Sequence, residues 1–172
     1  MHAFQAVNMV TSDIIKVCII GNGNTSRGAQ KALCELGITP KIYTRSTETK
    51  FREDMFNYDV IVNCVLWDTK RTDHLIRKNE LHKFKPKILI IDVSCDPGLG
   101  IESTKATTIQ NPIYEVDGIM HYAVANTPAL DPLLATQIIS KNFKNLVDEI
   151  VEGNHSPAVS SAVVIRDGKV SF

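Results

Sequence analysis

The sequence predicts an α/β protein built on a doubly wound parallel sheet, with a short β-hairpin at its carboxyl end. Three features predict it. Short apolar runs alternate with segments of helical period, the first run stops at a glycine turn, and the runs are apolar on consecutive residues, as in strands covered on both faces. At 172 residues the chain is of single-core size.

Taken in order, Met1 to Ser12 scatters Phe4, Ala6, Val7, Met9 and Val10 at mixed spacing, a short helix at most. Ile14 to Ile20 is the first strand. Gly21-Asn22-Gly23-Asn24-Thr25-Ser26-Arg27-Gly28 follows as a tight turn and helix start, a Rossmann-like arrangement suited to phosphate. Gly21 supplies a backbone conformation closed to residues with a Cβ, Gly23 lets a diphosphate approach the main chain, and the amides of Asn24, Thr25 and Ser26 open the helix. Ser26 stands at the third small position, where Gly or Ala is usual. The alternative is a glycine turn with no ligand. Ala29, Ala32, Leu33 and Leu36 form one apolar stripe on the helix, which Gly37 and Pro40 end.

Lys41 to Thr44 is the second strand, and its exit bears on the choice of cofactor. NAD-binding chains place an acidic residue about 20 positions beyond the glycines to accept from the ribose hydroxyls. Here Thr44, Arg45 and Ser46 occupy that place. A guanidinium between hydroxyls suits a 2′-phosphate, which favours NADP (NADPH) over NAD and counts against S-adenosylmethionine. A solvated loop arginine is the alternative.

Thr49 to Asn57 reads as a short helix or irregular crossover, and Asp59 to Leu66 as the third strand. Asp73 to Lys83 reads as a helix with Leu75, Ile76 and Leu81 inward and His74 and His82 solvated. Lys87 to Asp92 is the fourth strand, leading to Val93-Ser94-Cys95-Asp96-Pro97-Gly98. Asp96 is the candidate catalytic carboxylate there, with a plain turn-forming role as the alternative. Ile101 to Asp117 shows no period and is expected to be an extended loop. Gly118 to Ala125 is the fifth strand, with His121 read as a hydrogen-bonded core histidine or, alternatively, a catalytic one. Asp131 and Pro132 start the longest helix, which runs to about Val151 before Gly153. Val163 to Val170 carries the Asp-Gly signature of the carboxyl-terminal hairpin.

Nineteen Lys and Arg balance nineteen Asp and Glu, so no electrostatic case exists for nucleic acid or an anionic membrane. No apolar run reaches the ~20 residues that span a bilayer and the amino terminus lacks a signal-peptide pattern, so a cytoplasmic location is expected. Cys18, Cys34, Cys64 and Cys95 are too far apart for zinc or redox motifs, and no metal site is expected.

Four stretches together resemble the nucleotide-binding domain of the alanine dehydrogenase and transhydrogenase family: Gly21 to Gly28, Asp59 to Asp68, Ile91 to Asp96, and Asp117 to Pro128. Within the family, Gly-Asn-Gly-Asn-Thr and Val65-Leu66-Trp67-Asp68-Thr69 look most like the N5-(carboxyethyl)ornithine synthases. The resemblance implies NADPH-dependent reductive condensation of pyruvate with the side-chain amine of ornithine or lysine. It puts Asp96 at the catalytic centre. Val124 and Asn126, with Val65, Leu66 and Ser94, would then lie toward the nicotinamide. It divides the chain into a connecting-segment remnant at 1–12, an NAD(P)-binding domain at 13–152 and a hairpin tail at 153–172. The family's substrate domain, which would hold the keto acid, is expected from a segment or partner chain beyond these residues, and a homo-oligomer is possible. An NAD-using alanine dehydrogenase and a non-catalytic dinucleotide-binding module are the alternatives.

Overall fold

The computed structural model describes residues 2–7, 15–154, 156–166 and 168–170. These form two compact units, Met1–Thr127 and Pro128–Phe172. The first contains a six-stranded sheet in the order β2-β1-β3-β4-β6-β5. β1 is Val17–Ile20, β2 Lys41–Tyr43, β3 Val60–Asn63, β4 Leu89–Asp92, β5 Ile113–Val116 and β6 Ile119–Tyr122. β5 runs antiparallel to β6, and every other pairing is parallel.

Consecutive apolar residues in β1 supply both faces of the sheet. Val17 and Ile19 join one cluster with Val60, Val62, Leu89 and Leu33 of α2 (Asn24–Glu35), together with Phe4 of α1 (His2–Ala6). Cys18 and Ile20 join the other, with Ile61, Ile90, Leu81 and Phe51 of α3 (Glu48–Asp54). The winding is therefore double, with β1 fully buried between the layers. β2 and β3 lie on opposite sides of β1, so chain direction across the sheet reverses between β1 and β3. A crevice opens at the carboxyl ends of strands at such a switch point.

Two sequence expectations are corrected. Asp73 to Lys83 is not an α-helix. Leu75 donates to the Gly100 carbonyl and Ile76 accepts from Glu102, so the main chain pairs with a remote segment before a 3-10 turn at Lys78–Lys83. The apolar residues still point inward: Leu75, Ile76 and Leu81 are buried. Nor is Ile101 to Asp117 all loop, because β5 occupies its end. Asp117 and Gly118 take φ of +52° and +79°, which turns β5 tightly back along β6. The same dipeptide that marks the carboxyl-terminal hairpin was the available signal. The strands are also shorter than the apolar runs: Cys64, Val65 and Leu66 leave the sheet after Asn63.

In the second unit α4 spans Pro132–Val151, with the Asp131 carboxylate accepting from the Leu134 amide at 3.1 Å. A short α5 (Pro157–Ser161) precedes the hairpin of β7 (Ile165–Arg166) and β8 (Lys169–Val170). Part of the expected hairpin turn and residues 8–14, between α1 and β1, lie outside the described residues. No described helix is long and apolar enough to cross a membrane.

Candidate functional site

The chain leaves β1 through Gly21, whose φ of +121° is reserved for glycine and whose amide donates to the Tyr43 carbonyl at 2.8 Å. A Cβ there would lie 3.0 Å from the Cys64 carbonyl oxygen, so the ends of β1 and β3 approach closely only because the side chain is absent. At Gly23 the position of a Cβ faces open space. Gly23 caps α2 without any side-chain hydrogen bond, which leaves the first-turn amides free to meet an anion. Ser26 is buried beneath the turn and donates from Oγ to the Gly21 carbonyl at 2.8 Å. A hydroxyl thus ties helix to turn where the usual small residue only packs.

A cavity of about 520 Å³ lies over this turn, lined by Gly21, Gly23, Thr44, Arg45, Val65 and Leu66 among others. Arg45 is exposed and has no hydrogen-bond or ion-pair partner among the described residues. Thr44 is held in a small hydroxyl knot, its amide donating to Thr47 Oγ1 at 2.8 Å and its Oγ1 lying 2.9 Å from Ser46 Oγ. Cys64, Val65 and Leu66 also line a second cavity of about 250 Å³ with Thr25, Val93, Ser94 and Asp96. Leu66 is 86% exposed, a large apolar side chain displayed to solvent at the rim. Of the remaining candidates, Asn24 and Ser46 are exposed beside these cavities' residues in sequence. Val124 is buried among core side chains and Asn126 is exposed at φ +58°; neither lines the two cavities.

Beneath the second cavity lies a polar hub that sequence reading missed. Asp92, buried at the end of β4, accepts from Asn63 Nδ2 at 2.9 Å, from the Ser94 amide at 3.2 Å and hydroxyl at 2.7 Å, and from Thr104 Oγ1 at 2.5 Å. Asn63 Oδ1 accepts in turn from the Val65 amide at 3.2 Å. Two buried side chains therefore hold both exit loops that carry Val65, Leu66, Ser94 and Asp96. Asparagine and aspartate closing neighbouring apolar runs were the signal.

The first cavity also has walls that were not among the candidate site residues: Glu48, Trp67, Asp68 and Arg71. Arg71 is bidentate to Glu48 and to Asp73 and lies 4.1 Å from the Trp67 ring centre. That hydrogen bonding from Arg71 is the main cause holding the Glu48 carboxyl below its usual range. Burial pushes the Cys64 thiol up to about 11, so it stays protonated. His121 takes the core role: its Nδ1 donates to the Ile119 carbonyl at 2.9 Å, Nε2 lies 2.7 Å from Ser103 Oγ, and its ring stacks on Tyr114.

The family model described as the alanine dehydrogenase/PNT C-terminal domain matches residues 4–172. The chain belongs to that family. Two N(5)-(carboxyethyl)ornithine synthases are similar to this family member. That of Clostridium botulinum is 30% identical over 86% of the chain and 46% of its own length, and that of Lactococcus lactis 33% identical over 82% and 45%. Alanine dehydrogenase 1 of Staphylococcus aureus is 27% identical over 98% of the chain and 46% of its own length. Among solved structures, an L-alanine dehydrogenase superposes with TM-score 0.69 at 21% identity, covering 90% of this chain and 50% of its own. A transhydrogenase from Sinorhizobium meliloti superposes at 0.67 and 17%, covering 99% and 61%. The alanine dehydrogenase/PNT domain is thus Rossmann-like in fold, a nucleotide-binding domain whose relatives are oxidoreductases. It spans about half the length of the curated relatives it matches.

Proposed function

We infer that the chain is the NADP(H)-binding domain of an oxidoreductase acting on CH–NH bonds, of the kind that condenses pyruvate reductively with the side-chain amine of ornithine or lysine. The observation that carries the cofactor reading is that Arg45, unpaired among the described residues, opens onto the same cavity as Gly21 and Gly23. The turn offers main-chain amides to a diphosphate and the guanidinium offers a fork to a 2′-phosphate. Open space at Gly23 and the uncapped start of α2 suit that group. When bound, the dinucleotide supplies hydride. The chain's own residues orient it: Val65 and Leu66 give the two cavities a shared apolar wall, and Asp96, beside Ser94, is the carboxylate that holds the substrate amine or its protons. The keto acid and the remainder of the amino substrate are held by a substrate region outside these residues, and that region selects the amine.

Calorimetric titration with NADPH and NADH tests this reading. Tighter NADPH binding, with the preference abolished in Arg45→Ala, is the expected result. Equal affinities unaffected by Arg45→Ala overturn it. The second reading is an NAD-using enzyme of alanine dehydrogenase type. It draws on Glu48, a carboxylate that lines the same cavity and would accept from ribose hydroxyls once released by Arg71 and Arg52.

A further inference from the structure

We propose that Arg71 is a specificity-determining residue for the coenzyme that acts through Glu48, masking a cavity carboxylate that would otherwise repel a 2′-phosphate and welcome a bare ribose. This rests on the NADP reading above.

Glu48 lies three residues beyond Arg45 and both line the first cavity. A free carboxylate there has two consequences. It sets a negative charge against a phosphate dianion, and it supplies the acceptor that NAD-binding sites use for ribose hydroxyls. The fold removes both. Arg71 Nη1 donates to Glu48 Oε2 at 3.0 Å and Nη2 to Oε1 at 2.9 Å, while Arg52 Nη2 reaches Oε1 at 2.9 Å. Both carboxylate oxygens are therefore engaged, one of them twice.

Arg71 is itself immobilised. Asp73 accepts from its Nε at 2.8 Å and its Nη2 at 2.6 Å, and Trp67 lies against it. Arg52, Arg71, Glu48 and Asp73 form a neutral tetrad, with Arg52 also 3.3 Å from Asp73. Arg45 is left outside it, a cation with no ion-pair partner among the described residues. Asp68, the other acidic wall, is exposed, and its Oδ1 accepts from the Lys70 amide. Since its carboxyl is held below the usual range, Glu48 stays ionised, and among the described residues the two arginines offset its charge. A mere tie between α3 and the loop after β3 would not be expected to discriminate between coenzymes. A mask does.

The test titrates wild type, Arg71→Gln, Arg71→Lys and Glu48→Gln/Arg71→Gln with NADPH and NADH. Adenosine 2′,5′-bisphosphate and adenosine 5′-monophosphate serve as fragments that carry the same pole without nicotinamide. Arg71→Gln is expected to weaken NADPH and the bisphosphate about tenfold while leaving NADH and the monophosphate unchanged or tighter. The double variant restores the NADPH preference, and Arg71→Lys falls between. Equal weakening of all four ligands, or no rescue by Glu48→Gln, overturns the mask and leaves the cofactor reading standing. Wild type that fails to prefer NADPH overturns both. If Arg71→Gln does not fold, Arg71→Lys and the double variant carry the same comparison.

Discussion

Asn63 and Asp92 sit in register at the carboxyl ends of β3 and β4, and the amide of one donates to the carboxylate of the other across 2.9 Å in a fully enclosed setting. Neither side chain faces water, so each is satisfied only by the fold. Through them the sheet edge dictates where two loops begin.

Removing the carboxylate orphans several donors at once. Asp92→Ala is expected to cost about 3 kcal/mol, because the buried donors of Asn63 and Thr104 lose their acceptor. Urea denaturation of the purified chain measures this. A cost below about 1 kcal/mol, typical of an ordinary single hydrogen bond, contradicts the hub.

Gly21→Ala combines two penalties. The φ of +121° is unfavourable for any residue with a Cβ, and the new methyl would press on the Cys64 carbonyl at 3.0 Å. A loss of about 2 kcal/mol is expected, together with loss of dinucleotide binding as β1 and β3 part. Gly23→Ala, by contrast, meets no described residue other than its chain neighbours within 4 Å, so thermal melting should barely move while coenzyme affinity falls.

Ser26→Ala deletes one buried hydrogen bond to the Gly21 carbonyl and leaves packing nearly intact. The expected cost is about 1 kcal/mol. Ser26→Val adds bulk in the same enclosed place and should cost more, despite being apolar. Chemical denaturation that gives the two equal costs would show that the lost hydrogen bond, rather than space, governs this position.

Burial holds the His121 imidazole below its ordinary value of 6.5, outweighing its bond to the Ile119 carbonyl. Around and below pH 6.5 the unfolded chain takes up a proton that the folded chain refuses, so stability falls as the pH drops from there toward the depressed folded value. Above 6.5 both forms are neutral at this site and the contribution is flat. Comparing wild type with His121→Gln at pH 7.5 and 5.5 isolates it: the wild type should lose more stability on acidification. Equal losses would mean that the ring is protonated inside the fold.

Much of the glycine turn and its surroundings was legible in the chain because its determinants are local. The buried run into Gly21, the stripe on α2, the Asp131 cap of α4 and the placing of Arg45 just past β2 depend on neighbours a few residues away, which period and turn chemistry report. Asp117-Gly118 was equally local and was overlooked, so β5 was expected as loop. The helix expected at Asp73 to Lys83 failed for another reason. Leu75 and Ile76 have the right apolar spacing, but their backbone groups bond to Gly100 and Glu102, and spacing says nothing about such partners.

The sequence by itself determined the class of fold and the glycine bend, since these follow from patterns within single elements. Tertiary structure alone decided that Glu48 meets Arg71 across 23 positions of chain and that Asp92 gathers Asn63, Ser94 and Thr104. Charges and hydrogen bonds act over a few ångströms in space, and which side chains come that close is set by strand order and register, which no stretch of residues displays by itself.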